Sequence, residues 1–394
     1  MEQTGRKRRV LLLYRAMIPS IRLCGHCQMQ ALDRQGMLEY RARQELEVQS
    51  ADLRWADTVI LGRFDSWYEV QLARRLRRAG KTLLYILDDD LLSVPPEASS
   101  ARHYNREETR RHIRNAIEMS DAILSPSRLL LQKYAAGGRK GVLLEEPAID
   151  PIPFRTHEPG RIVKIGFAGS IDRTADVEAI LWEALLRIRE TYGERVRFEF
   201  FGAEPSFAGA LGARTIAYQD SYDAYRAALN GLEWDIGLAP MPQTAFHACK
   251  HYNKFVEYAA SGIVGVYSDN APYRDIKERL GLTSREEIGV FCENTPDAWY
   301  EALCGLIDDA ESRERMRLRV SELAHTALSV EVCAKALAAQ LPDAVREAES
   351  TPPNAVTLAA LKAAGIAERG VQAFKTHGWG IFAHALGKCI RRGK

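Results

Sequence analysis

Three things are scarce in this chain, and each scarcity narrows what it can be. No uninterrupted apolar run approaches the ~20 residues that a membrane-spanning helix needs. The first apolar stretch, residues 10–13 in MEQTGRKRRVLLLYRAM, is too short for the core of a secretory signal, so a cytoplasmic protein is expected. Net charge is nearly absent: 54 Lys and Arg against 52 Asp and Glu leave +2. That balance lacks the basic domain or stripe of a nucleic-acid binder, and no nucleic-acid partner is expected. Cysteine is sparse and odd in number, seven in 394 residues, which argues against a disulfide scaffold.

One cysteine pair stands apart. Cys24-Gly25-His26-Cys27 spells a CxxC whose His could lower a thiol pKa, as in disulfide oxidoreductases. A thioredoxin-like domain is much shorter than this chain and orders its elements differently. No second CxxC completes a zinc site, so no metal is expected. The plain alternative is two chance cysteines near the start of the first helix.

What is present is alternation. Short apolar runs at residues 10–14, 57–63, 81–90, 121–127 and 140–147 are separated by helical patterns. Continuous apolar strands between helices indicate a parallel sheet covered on both faces. Residues 147–160, PAIDPIPFRTHEPG, carry four prolines and read as a linker. The pattern restarts with IVKIGFAGS (162–170), VRFEFFG (196–202), WDIGLAPM (234–241) and the strand after GIVGVYS. The expectation is an α/β protein of two doubly wound, Rossmann-like domains facing a cleft: residues 1–150 and 161–345, joined by 151–160. Residues 346–394 form a helical, basic extension. From Lys362 onward that extension has seven Lys or Arg and one acidic residue, with Trp379, Phe382, Leu386 and Ile390 along one face. Such an end can lie on an anionic membrane surface or dock on its own protein, and both readings stay open.

Ligands of doubly wound sheets sit beyond the carboxyl ends of the strands. Three stretches fall there. KHYNKFVEY (250–258) reads as a helix with Tyr252, Phe255, Val256 and Ala259 on an apolar stripe and Lys250, Lys254 and Glu257 opposite. Two cations at a helix start suit a diphosphate, and a carboxylate one turn on suits paired ribose hydroxyls. The plainer alternative is a solvated face with Lys254 bridging to a carboxylate. FAGSIDR places Gly169 and Ser170 where backbone N–H groups can approach a phosphate, with Arg173 behind them. LLYILDDD ends a first-domain strand in Asp88, Asp89 and Asp90. Three crowded acids can raise one pKa toward values useful in acid–base work, although alternating strand faces cannot aim all three at one place. The alternative is capping and solvation. His103, His247 and His251 read as surface or supporting residues.

IVKIGFAGSIDR, WDIGLAPMP, KHYNKFVEYAASGIVGVYS and LLYILDDDLLSVP together resemble the bacterial glycosyltransferases of the GT-B fold, most nearly the family-4 group, over roughly residues 8–340. The resemblance implies a metal- and cofactor-independent transferase. A nucleotide-sugar donor (UDP-, GDP- or TDP-linked) would bind the second domain through Gly169, Ser170, Arg173, Lys250, Asn253, Lys254 and Glu257. A saccharide or lipid-linked saccharide acceptor would face Asp88–Asp90 of the first. It further implies net retention and work in cell-surface polysaccharide assembly at the inner face of the membrane. Glu257 matches the second acid of the family's Glu-seven-residues-Glu pattern, but the first acid falls at Cys249 and is absent. That departure favours an alternative, a nucleotide-sugar-binding protein without chemistry. A nucleotide-sugar epimerase would need a sugar pocket densely lined with acids and histidines, which the sequence does not display.

Overall fold

A computed structural model describes residues 6–156, 162–342 and 347–377. Among these residues twelve strands form two separate six-stranded sheets. The first sheet contains β1 (Arg9–Tyr14), β2 (Glu39–Gln44), β3 (Thr58–Gly62), β4 (Thr82–Ile86), β5 (Ala122–Ser125) and β6 (Lys140–Leu143), in the order β2-β1-β3-β4-β5-β6. The second contains β7 (Val163–Ala168), β8 (Val196–Phe201), β9 (Arg214–Ile216), β10 (Ile236–Ala239), β11 (Val264–Ser268) and β12 (Gly289–Cys292), in the order β12-β11-β10-β7-β8-β9. Every pairing is parallel. Both domains are doubly wound, as the alternating pattern predicts.

The burial pattern follows from that winding. Strands β3, β4, β5, β10 and β11 are covered on both faces and buried throughout, which is why they read as unbroken apolar runs. Strand order reverses between β1 and β3 and between β10 and β7, and a crevice opens at each such reversal. Close packing fixes one residue absolutely. The Trp234 indole lies over Gly166 of β7, where an added Cβ would come within 2.1 Å of the ring. The indole Nε1–H donates to Glu199 at 2.8 Å.

Residues after β6 cross to the second domain, where the Ala148 N–H donates to Leu328 O (2.8 Å) and the Ile152 N–H to Ala260 O (2.9 Å). The chain comes back sooner than expected. Residues 330–341, assigned to the second domain from sequence, pack on the first. Ala334, Leu337 and Leu341 share a core with Val10, Leu12, Met29 and Leu32. The Gln340 amide exchanges hydrogen bonds with both backbone groups of Leu143 (3.2 and 2.8 Å).

The described part of the extension docks on its own protein. Helix Ala355–His377 buries Leu358 and Leu361 in the first domain's core beside Tyr68 and Leu72. The Glu368 carboxylate accepts the Trp67 and Tyr68 backbone N–H groups (3.0 and 3.4 Å), capping helix Trp67–Arg78. Lys362 donates to Val48 O at 2.6 Å, and Arg369 pairs with Glu45. The apolar stripe of Trp379, Phe382, Leu386 and Ile390 lies outside the described residues. No helix of the described residues is long and apolar enough to cross a membrane.

Candidate active site in the interdomain cleft

The carboxyl ends of β7 and β10 open onto a cavity of about 260 Å³ between the domains. Its second-domain wall carries Gly169, Ser170, Arg173, Lys250, Asn253, Lys254 and Glu257, so every donor-side residue named from sequence lines one space. Their local roles differ in part from expectation. The helix starts at Asn253, which puts Lys250 in the preceding turn. The Gly169 N–H donates to Phe201 O (2.9 Å) and is not aimed into the cavity. Glycine is required there because a Cβ would lie 2.7 Å from the Phe167 ring. Arg173 is braced by Pro240 O (2.8 Å) and Asp176 (3.1 Å).

Lys254 and Glu257 form an ion pair at 2.5 Å, one turn apart on the helix. The Tyr225 hydroxyl donates to Glu257 (2.8 Å) and sits 3.3 Å from Lys254 Nζ. The bridging expected as the plainer alternative is therefore present, and Tyr225 adds a polar partner that sequence spacing did not reveal. Lys250 crosses the cleft to Asp89 at 2.7 Å.

From the first domain come Asp88 and Asp89, beyond β4, and Glu146, beyond β6. Arg63, held at φ +57°, reaches Asp88 (3.2 Å) and Asp89 (3.5 Å). Crowding was expected to raise the pKa of one of these acids. For Asp89, burial does work against the charge, but Lys250 and Arg63 outweigh it and hold the carboxyl below its ordinary range. Asp90 must be withdrawn as a catalytic candidate. It is 3% exposed and turned from the cavity onto Lys133 (2.7 Å) and the Tyr134 hydroxyl (2.5 Å). The strand ends at Ile86, and the bend at Asp88 and Asp89 leaves those two side chains on the cavity while carrying Asp90 away from it.

The histidines are tied to neighbours. His103 pairs with Asp65 at 2.9 Å. Burial pushes His247 down to about 4, helped by Arg173 and Lys250, and its Nδ1 meets Thr244 Oγ1 at 2.8 Å. His251 is buried, with Nε2 on Glu145 (2.9 Å) and Nδ1 on Asn253 Oδ1 (2.6 Å). The redox reading of Cys24 and Cys27 fails. Both thiols are pushed up by burial, and His26 is spent on the Tyr40 hydroxyl (2.9 Å). Instead Cys24 donates to Glu146 at 3.1 Å, beneath the cavity floor. Among the described residues no cluster of His, Cys, Asp or Glu could hold a metal ion.

A second cavity of about 600 Å³ adjoins the first and shares Gly169, Ser170, Lys254 and Glu257 with it. Its lining includes Met17, Arg22, Gly202, Tyr218, Gln219, Tyr222 and Tyr225. Arg22 meets Asp223 across the cleft at 2.6 Å. The site is thus a polar, cation-walled chamber opening into a larger and more aromatic one.

No protein-family model matches the chain, and no curated protein matches it. Solved structures do resemble it. HepE (Alr3699) of Anabaena, in complex with UDP and glucose, aligns with a TM-score of 0.57 at 12% identity over 86% of this chain and 100% of that one. An α-glucosyltransferase in complex with UDP and a 13-mer DNA containing an HMU base gives 0.57 at 11%, over 84% and 98%. A putative UDP-N-acetylglucosamine 2-epimerase from Listeria monocytogenes gives 0.50 at 13%, over 84% and 94%. At such identities the likeness concerns the fold: two Rossmann-like domains in the GT-B arrangement, with C-terminal helices. Transferases and an epimerase share it, so the fold does not separate the two chemistries.

Proposed function

We propose that the protein transfers a sugar from a nucleoside-diphosphate sugar to a hydroxyl acceptor. The observation that carries this reading is the joining of the two cavities at Lys254 and Glu257. The larger chamber fits a nucleoside, with Tyr218 offering a ring face for the base and residues 217–219 offering backbone groups to read it. Glu257 accepts the ribose hydroxyls. Arg173, Lys250 and Lys254 surround the diphosphate, whose negative charge grows as it leaves. Asp88 and Asp89 face the acceptor across the cleft. The solved relatives in complex with UDP support a nucleotide donor.

The finer reading rests on the family-4-like motifs: a saccharide or lipid-linked acceptor, net retention, and cell-surface polysaccharide assembly at the inner face of the membrane. The Cys249 departure has a structural counterpart. Its side chain is 7% exposed and packed into the first domain's core cluster, so that position does not face the donor here. Epimerisation gains from one observation. Asp88, Asp89, Glu146 and His251 line the small cavity together, an acid- and histidine-bearing pocket that the sequence did not display. Deuterium entering C2 of UDP-N-acetylglucosamine from D₂O would mark that chemistry; nucleoside diphosphate released with a glycosylated acceptor and no deuterium at C2 would mark transfer.

Thermal stabilisation by UDP, GDP, TDP and CMP tests the site on wild type, Lys254→Ala and Glu257→Ala. A specific nucleotide at 100 times its Kd adds about 2.7 kcal/mol to stability. A shift with one diphosphate, lost in both variants, supports the donor site. No shift with any of the four on folded protein refutes it.

A further inference from the structure

The floor of the small cavity holds a carboxyl group that the donor and acceptor assignments leave without a role. Glu146 follows β6 by three residues, where the chain starts its crossing to the second domain. It is 2% exposed yet lines the cavity with Asp88 and His251. Its Oε1 accepts the Cys24 thiol (3.1 Å), while its Oε2 has no hydrogen-bond partner and lies 3.8 Å from His251 Nδ1.

Its acidic neighbours are all engaged by Lys or Arg. Asp89 is held by Lys250 and Arg63, and Asp88 by Arg63. Glu145, adjacent in sequence, turns the other way onto Arg279 (2.8 Å), His251 (2.9 Å) and the Tyr252 hydroxyl (2.7 Å). Among the described residues Glu146 makes no ion pair with Lys or Arg, and a buried carboxyl with an unpaired oxygen normally has a partner to receive.

We propose that Glu146 takes the proton from the incoming hydroxyl. This role rests on the transferase reading above and requires direct displacement with inversion, in place of the net retention that the family-4-like motifs imply. The acceptor O–H gives its proton to Glu146 Oε2 as the acceptor oxygen's electron pair forms the bond to the donor's anomeric carbon. The bond from that carbon to the diphosphate breaks, and its electron pair leaves with the diphosphate beside Arg173, Lys250 and Lys254. Glu146 then returns the proton to solvent.

The groups facing Glu146 suit it to this task. Burial pushes its carboxyl up to about 7; His251 and the Cys24 hydrogen bond pull it down, and Asp88 and Glu145 push it up again. Tyr222, from the wall of the larger cavity, lies within electrostatic reach of it. A base is most effective when its pKa lies near the working pH. Asp88 Oδ1 also lacks a hydrogen-bond partner, but the Arg63 guanidinium lies 3.2 Å from it, and Asp89 is held by Lys250; Glu146 is the one of the three with no Lys or Arg paired to it among the described residues.

The test uses the full chain with UDP-glucose, UDP-N-acetylglucosamine, GDP-mannose and TDP-rhamnose, following release of nucleoside diphosphate to water or to an added saccharide. Glu146→Gln keeps the shape of the group and removes its basicity. Expected are unchanged diphosphate affinity, turnover lower by about 10²- to 10⁴-fold, and loss of the acidic limb of the wild-type pH–kcat profile. Glu146→Asp recovers part of the turnover with the limb restored. Cys24→Ala moves the limb to higher pH, because the thiol's hydrogen bond favours the carboxylate. Wild-type turnover and an unchanged limb in Glu146→Gln overturn the role. Nucleotide binding without turnover of any donor overturns both the role and transfer. Absence of nucleotide binding in wild type overturns the donor site itself.

Discussion

The same carboxyl can be interrogated without any substrate, through the stability of the fold. Glu146 is fully buried, and its pKa stands at about 7 in the folded chain against an ordinary 4.5. The folded protein therefore holds this proton more tightly than the unfolded chain. The stability it contributes is complete below pH 4.5 and is lost as the pH rises through 7. The gap is about 2.5 pH units, at about 1.4 kcal/mol each, so ionising Glu146 in place costs about 3 kcal/mol. Glu146→Gln never ionises and escapes that cost. Urea or thermal unfolding of the two proteins should coincide near pH 4.5 and diverge steadily above it. By pH 8 the variant should be more stable by about 3 kcal/mol, a rise in Tm of about 6 °C or more. Asp88, Asp89, Glu145 and His251 are common to both proteins, and their titrations largely cancel in the difference. A difference that does not change between pH 4.5 and 8, or a wild type more stable at pH 8, refutes the argument and removes the physical basis for Glu146 as a base.

Asp89→Asn frees Lys250 from a partly exposed ion pair worth about 1 kcal/mol, so UDP should bind roughly fivefold tighter by calorimetry; unchanged or weaker binding means the pair does not compete with the diphosphate. Gly166→Ala drives a methyl into the Trp234 ring and should destabilise the second domain by about 3 kcal/mol, read as an earlier urea midpoint in tryptophan fluorescence; a wild-type midpoint would show that the ring moves aside freely. Glu368→Ala removes the acceptor for the Trp67 and Tyr68 N–H groups, leaves the Ser66–Glu69 capping box in place, costs about 1 kcal/mol and loosens the docked extension. Limited proteolysis within residues 347–354 should then run faster than in wild type.

The buried strands were legible because burial on both faces writes itself as continuous apolar runs, as in TLLYI of β4. Strand β2, EYRARQ, was not, since an edge strand with polar residues on both faces carries no such signature. On the helix Asn253–Ala260, Lys254 and Glu257 were legible because one helical turn forces such residues onto one face. Glu146 was not, because LLEEP shows two adjacent acids and only the fold decides that one turns to Arg279 and the other to the cavity. Asp88–Asp90 pose the same problem, and there the bend after β4, which no spacing rule reveals, sent Asp90 to Lys133. Tyr225 and Cys24 come from distant elements, so their contacts with Glu257 and Glu146 have no local spacing to reveal them. The early return of residues 330–341 was hidden because an amphipathic helix shows that it has an apolar face without showing which core receives it.

The hydrogen bond between Ala148 and Leu328 has a consequence for how the molecule can be taken apart. It places the entry and the exit of the second domain side by side, so residues from about 150 to 328 form one continuous insert in a first domain that is itself completed by 330–341. The two crossings lie side by side, and the pairs Lys250–Asp89, Arg22–Asp223 and Arg128–Glu278 join the two domains across the cleft. An insert whose ends meet can be cut out and replaced by the matching piece of a relative without lengthening either connection. The second domain can be exchanged as a cassette while the first, with its docked C-terminal helix, stays whole.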